Sequence, residues 1–351
     1  MKLSKSNKLI GLDLGSHAIK VCLIDQASRN FVLEHYGQAN LPPFAIEDGV
    51  IKDSQAVADT LSRLIRNLGI QGNETVLALA GYAVIVKKIT LPILSEKDLA
   101  QTIHLEAEQH LPFDVREVNL DFHILGPLKE EPDTMGVLLV AGKKDVLESY
   151  LQVMRLAGLD VRVVDIVAFA LENAYEANYP LTETPMAVVD LGSDLITVNV
   201  FNTGGTLFTR DLSMGGRQIT EQIQGLDNLA FKDAETLKLN WDRPVRDLER
   251  VGSLLLPVLR TWTEEIKRAF DFLAASDPDS RPEKVILSGG TALLPGLPDF
   301  FKQELKLPVE LFNPFQKVKV NPEQFDPGYL QQIAPQAATA FGLALRRRDD
   351  R

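Results

Sequence analysis

The sequence predicts an α/β protein built by duplication, with a smaller α/β module inserted into its first half. Three observations lead there. An apolar run ends in Asp13-Leu14-Gly15-Ser16, and the same arrangement returns at Asp190-Leu191-Gly192-Ser193. A β-branched apolar run follows each copy at once, over 19–24 and 195–201. Between the copies, residues 84–164 read strand, helix, strand, strand, helix, strand, about 80 residues and a plausible subdomain.

The elements follow in order. Residues 8–14, 18–25 and 31–38 read as three strands, since apolar runs bounded by Gly or polar turns mark buried strands. Val57, Leu61, Leu64 and Leu68 share one helical face, and Gly69 follows as a stop. Residues 74–80 form the next buried strand. The insertion opens with a strand over 84–91, closed by Pro92. Ser95 is an N-cap with Asp98 at the capping-box distance, and the helix it starts carries Leu99, Ile103 and Ala107 and ends before Pro112. Strands over 120–125 and 137–141 flank a polar loop over 129–133. A helix from Asp145 carries Val146, Tyr150, Val153 and Leu156, and a strand over 161–164 returns to the first half. A helix over 167–179 precedes a linker marked by Pro180 and Pro185. Strands over 186–191, 195–202 and 206–211 then repeat the opening. Gly215-Gly216 starts a helix through Ile219 and Ile223. A charged helical region spans 231–275 with a break near Pro244. A strand over 284–287 ends in Ser288-Gly289-Gly290-Thr291, and the last helix runs over 335–346. The expected boundaries are 1–83 plus 165–184 for the first unit, 84–164 for the insertion, and 185–351 for the second unit, with a helical part near 226–283.

Composition narrows the function classes. The 351 residues are 45% hydrophobic and 24% charged, ordinary for a globular protein with a sizeable core. A net charge of −11 argues against a non-specific grip on nucleic acid or anionic lipid. Cys22 is the one cysteine, so no intrachain disulfide forms, and its apolar strand makes it a core residue in a reducing compartment. No apolar run is long enough to cross a bilayer, and Asp13 interrupts the N-terminal run, which speaks against a signal peptide and direct membrane insertion. His104 and His110 lack metal-ligand spacing. Arg346-Arg347-Arg348 precedes Asp349 and Asp350 and reads as a solvated helix end.

The repeated turns carry the chemistry. Gly15 and Gly192 let backbone approach a ligand closely, and Ser16 and Ser193 add hydroxyl donors. Successive N–H groups in such turns form a concave site for phosphate. Asp13 and Asp190 at the strand ends can hold Mg²⁺, directly or through water. Lys20 either reaches back to phosphate as a point charge or is a solvated strand lysine. Gly215 and Gly216 open a helix whose N-terminus favours anions. Gly289, Gly290 and Thr291 follow a strand end, where ligands of α/β sheets bind.

That ordered set resembles the actin/Hsp70/hexokinase ATPase superfamily over nearly the whole chain, which implies a duplicated actin-like ATPase (ribonuclease H-like) fold binding ATP and Mg²⁺. The resemblance assigns Asp13, Gly15, Ser16 and Lys20 to the first phosphate turn, Asp190, Gly192 and Ser193 to the second, and Gly289, Gly290 and Thr291 to the adenosine. The insertion resembles the 1C-type subdomain shared by the FtsA and PilM families. The stretch Leu105-Glu106-Ala107-Glu108-Gln109-His110-Leu111-Pro112-Phe113, with Asp121-Phe122 and Gly342-Leu343-Ala344-Leu345-Arg346, is similar to the PilM family of type IV pilus assembly. That family implies a cytoplasmic adaptor of the inner-membrane pilus platform that captures the N-terminal cytoplasmic tail of PilN and meets other platform proteins. The alternative is an FtsA-like cell-division filament. Such proteins end in a linker and an amphipathic helix, for which little chain follows Leu345. Aligning the helix after the insertion puts Phe169 where fast actin-like ATPases carry a water-orienting Gln or Glu, so slow hydrolysis is expected. The apolar turn Leu111, Pro112 and Phe113 is the expected contact for the partner peptide.

Overall fold

The computed structural model describes residues 8–26, 31–128, 131–240, 248–348 and 350. The first half opens with an antiparallel meander, β1 (Ile10–Leu14), β2 (Ala18–Asp25) and β3 (Val32–Asn40). A small hairpin follows, β4 (Ile46–Glu47) and β5 (Val50–Ile51). Helix α1 (Ser54–Asn67) starts where Asp53 accepts from the Ala56 N–H, and buries Val57, Leu61 and Leu64, each adding roughly 1.5–3 kcal/mol. Strand β6 (Glu74–Leu79) runs parallel to β1.

The chain then makes β7 (Val84–Pro92), α2 (Glu96–Glu108), β8 (Val118–Pro127) and β9 (Thr134–Lys143), a separate sheet in the order β7-β9-β8. Ser95 caps α2 by accepting from the Asp98 N–H. The helix packs Leu99, Ile103 and Ala107 onto Ile89, Val137 and Leu139. The next two elements leave the insertion. Helix α3 (Lys144–Leu156) buries Val146, Tyr150 and Val153 in the core of the first half. Strand β10 (Asp160–Ile166) pairs in parallel with β6. The insertion therefore closes at Lys143, not at Val164 as read from sequence; amphipathic periodicity shows that α3 has an apolar face but not which core receives it.

Helix α4 (Val167–Asn178) leads to the second half: β11 (Met186–Leu191), β12 (Ile196–Asn202), β13 (Gly205–Leu212), α5 (Gly216–Asp227), α6 (Phe231–Leu239), α7 (Leu248–Ser276), β14 (Val285–Ser288), α8 (Leu297–Leu305), β15 (Val309–Leu311) and α9 (Pro327–Ala344). The two sheets have matching orders, β3-β2-β1-β6-β10 and β13-β12-β11-β14-β15. In each, an antiparallel meander of three is extended by two parallel strands. Duplication is thus visible in topology as well as motif.

Helices α4 and α9 lie together between the halves. A methyl at Gly342 would collide with the Ala170 carbonyl, and one at Gly11 with that of Ala340, so glycine is needed for both close approaches. Helix α9 begins well before the expected Pro335. Asp326 caps it, accepting from Gly328 N–H at 2.7 Å, and Pro327 takes the first turn. Pro335 sits inside the helix, where its carbonyl accepts from Gly289 N–H at 2.9 Å and Ser288 Oγ at 3.1 Å. The break near Pro244, and Lys129 and Glu130 of the insertion loop, lie outside the described residues. The arginine run is not a solvated end: Arg346 lies 3.6 Å from Asp165, and Arg348 pairs with Glu74.

Candidate functional site

A cavity of about 350 Å³ lies between the two sheets, and both Asp-Leu-Gly-Ser turns line it. The strand register builds the first wall. Asp13 on β1 pairs with Lys20 on β2, and their side chains form an ion pair at 2.9 Å. Burial alone would lower the Lys20 ammonium, but Asp13 and then Asp190 outweigh it and hold it above its usual value. Lys20 therefore stays charged and lines the cavity while paired with Asp13. Asp190 comes from β11, the equivalent strand of the second half. Burial and then the charge of Asp13 push its carboxyl up to about 6, against the pull of Ser288 and Lys20. The Asp13 charge opposing ionisation of Asp190 beside the cavity fits a hydrated divalent cation, whose charge would relieve the repulsion. Among the described residues no cluster of three or more His, Cys, Asp or Glu could hold a metal alone, so most of such an ion's ligands would be water and phosphate.

The second turn is tied to its surroundings. Gly192 N–H donates to the Leu195 carbonyl at 2.9 Å. The Thr291 hydroxyl donates to the Gly192 carbonyl at 2.8 Å. Gly289 has φ +86°, and a Cβ there would lie 2.4 Å from the Leu191 carbonyl oxygen, so only glycine serves. Gly289, Gly290 and Thr291 line the cavity together with Gln336 and Thr339 of α9.

Ten of the twelve expected ligand residues line this one cavity: Asp13, Gly15, Ser16, Lys20, Asp190, Gly192, Ser193, Gly289, Gly290 and Thr291. Gly215 and Gly216 do not. The first N–H groups of α5 already have partners, Gly216 N–H on the Gly192 carbonyl at 3.0 Å and Arg217 N–H on that of Ser193 at 2.8 Å. This helix N-terminus buttresses the second turn and offers those donors to no ligand.

Several wall residues escaped the sequence reading. Gln38 and Asn40 reach the cavity from β3. Glu235 and Lys238, one turn apart on α6, reach it from the second half. Lys238 Nζ is held by Glu235 Oε1 at 2.5 Å, Thr220 Oγ1 at 2.9 Å and the Gly216 carbonyl at 3.1 Å. The Glu-x-x-Lys spacing on a helix was the available signal. Phe169 is not in the cavity. Val167, two residues earlier, is the part of α4 that lines it.

Phe169 lines a second and larger groove, about 1050 Å³, between the insertion and the two halves. Its walls are Phe122, Leu138 and Val140 of the insertion, β10 from Arg162 to Ile166, α4 at Phe169 and Glu172, and Gly204 to Thr206 at the start of β13. Strand β10 is the edge of its sheet, and Val164 there is exposed. Glu172 accepts from Thr206 Oγ1 and from Asn199 Nδ2, and burial raises its carboxyl to about 7. The expected contacts Leu111, Pro112 and Phe113 do not line the groove. Leu111 packs against the insertion's own core, and Phe113 lies under Lys143, whose Nζ sits 4.7 Å from its ring.

Residues 11–348 match the family model for type IV pilus assembly protein PilM. The chain belongs to that family. The fold agrees across both full lengths with a solved PilM-PilN type IV pilus biogenesis complex: 29% identity, TM-score 0.86, covering 98% of this chain and 99% of the other. MreB5 of Spiroplasma citri bound to ADP shares the fold at 13% identity and TM-score 0.52, covering 95% of this chain and 94% of that one. Cell division protein FtsA of Streptococcus pneumoniae is 23% identical over 91% of this chain and 78% of its own length. This member of the PilM family thus has an actin-like fold.

Proposed function

We propose that this protein is an ATP-binding adaptor of the type IV pilus machine. Mg²⁺–ATP sits between the two Asp-Leu-Gly-Ser turns, and the groove beside the insertion takes the N-terminal cytoplasmic tail of a PilN-type protein. The observation that carries this reading is one chain with a family-matched fold that also holds a cavity lined by both turns and a larger groove along β10, which no other strand among the described residues extends. An extended peptide can add to such an edge through main-chain hydrogen bonds while side chains enter pockets along it. Partner capture would hold the protein at the cytoplasmic face of the inner membrane, within reach of other platform proteins. In the cavity, Lys20 would meet phosphate oxygens, Asp13 and Asp190 the cation's shell, and Glu235, held in place by Lys238, the ribose hydroxyls. When bound, the cation would supply charge neutralisation to the phosphates. Val167 offers an alkyl group where α4 meets the cavity and cannot orient water, so hydrolysis is slow, well under the enzyme median of about 10 per second.

Calorimetry with Mg²⁺–ATP and with a synthetic PilN N-terminal peptide tests both sites. Asp190→Ala should weaken ATP at least about tenfold, by loss of a charge beside the cation, and leave the peptide affinity within error of wild type when ATP is absent. Val164→Asp, at an exposed strand edge, should weaken the peptide by roughly 1–3 kcal/mol if the valine packs an anchor. Unchanged ATP affinity in folded Asp190→Ala would remove the first half of the proposal. Unchanged peptide affinity in Val164→Asp would remove the groove.

A further inference from the structure

One polar group in the cavity has no protein partner. Gln38 Oε1 is buried and meets no donor among the described residues, yet Gln38 lines the cavity wall. The sheet register places it. Asp13 pairs with Lys20, and Lys20 pairs with Gln38. Residues directly opposite in an antiparallel pair point to the same face. Carboxylate, ammonium and amide therefore stand in one row across β1, β2 and β3. Asp13 and Lys20 satisfy each other at 2.9 Å, which leaves the amide oxygen at the end of the row.

A buried acceptor left unfilled is costly, so its donor comes from whatever occupies the cavity. Phosphate oxygens at neutral pH only accept. Lys20 already points its charge at Asp13. Among the donors a bound nucleotide brings, water bound to its divalent cation donates most strongly, because the ion's charge polarises the O–H bond. Magnesium keeps several of its waters when held by few carboxylates. Asn40, on the same strand face, is exposed, and Gln336 stands on α9 beside Gly290 of the second half.

We propose that Gln38 is a positioning residue for the nucleotide's divalent cation, accepting a hydrogen bond from a water in the cation's shell. The proposal rests on the nucleotide-binding reading above. It is tested by titrating ATP into wild type, Gln38→Met and Gln38→Glu, each in Mg²⁺ and in EDTA, with melting curves to establish folding. The quantity read is the ratio of the two affinities. Gln38→Met, close in shape but without the acceptor, should lower that ratio about tenfold, the low end for loss of an outer partner of a metal site. Gln38→Glu, whose carboxylate accepts the same bond, should keep the ratio at or above wild type. An unchanged ratio in Gln38→Met overturns the assignment, as does an equal loss in both conditions, which would mean a contact to the nucleotide itself. If Gln38→Met does not fold, Gln38→Glu decides: a ratio below wild type overturns the proposal. Wild type that binds no ATP in either condition overturns the nucleotide reading, a result distinct from all of these.

Discussion

Glu172 joins the halves through one carboxyl group. It stands on α4, accepts from Thr206 and Asn199 of the second half, and is 8% exposed. Burial, with Glu176 and Asp165 adding repulsion, raises it from 4.5 to about 7 against those two hydrogen bonds. The folded state therefore holds this proton more tightly than the unfolded chain. Stability falls as pH rises from about 4.5 to about 7, and the full effect is a few kcal/mol at most. Asp190, raised to about 6, acts in the same direction. Glu172→Gln should flatten the decline in melting temperature between pH 5 and 8 without abolishing it, and should be at least as stable as wild type at pH 8. The same decline in both proteins would show that Glu172 does not titrate in this window. The residue types of the two cavity turns were legible because Asp, Gly and Ser recur there within a few positions. Glu172 was not, since its partners lie on other strands.

Helix α5 carries a strap across the cleft. The Arg217 guanidinium lies 4.8 Å from the Phe44 ring, 3.6 Å from Glu47 and 3.4 Å from the Ile46 carbonyl, all of the first half. Its Nε is 2.8 Å from Asp194 Oδ1 without aligning the N–H along the contact. The Asp48 N–H also reaches Asp194, at 3.3 Å, and Gly81 N–H reaches Asp211 at 2.6 Å. Phe44 and Asp48 hold φ of +65° and +48°, unusual for residues with a side chain. The backbone N–H of Arg217 meanwhile holds the Ser193 carbonyl of the second cavity turn. One residue thus links the turn to the opposite half. Arg217→Ala should speed release of a fluorescent ATP analogue about tenfold, and Arg217→Lys should not restore it, since a lysine cannot lie flat on a ring and bridge two carboxylates. An unchanged release rate at wild-type melting temperature would remove the strap from the account. At this scale the strands were read well, whereas α8 and β15 were not read, because Pro and Gly over 295–308 break the periodicity. Pro335 misled: proline favours a first helical turn, and here the Asp326 cap starts the helix earlier.

Across the whole molecule, the cavity and the groove share walls. Helix α4 gives Val167 to the cavity and Phe169 and Glu172 to the groove, and Gly204 to Thr206 bring the second half to the groove as well. Any closing of the halves on nucleotide changes the groove's width. Peptide affinity should differ several-fold between ATP-bound and nucleotide-free protein, and ATP affinity should change by the same factor when peptide is bound, as linkage requires. Equal affinities in both states would mean that the two sites are independent. The sequence by itself determined the duplication, the two Asp-Leu-Gly-Ser turns, the glycine turn at Gly289, and the family, because strand-turn patterns and close-approach glycines are local constraints. Tertiary structure decided that α3 and β10 leave the insertion, that α5 uses its first donors on the second turn, and that Leu111 to Phe113 stand apart from the groove. It also decided that Gln38 completes the cavity wall. Each depends on which surface a helix covers, or which strand pairs with which, and those partners lie far apart along the chain.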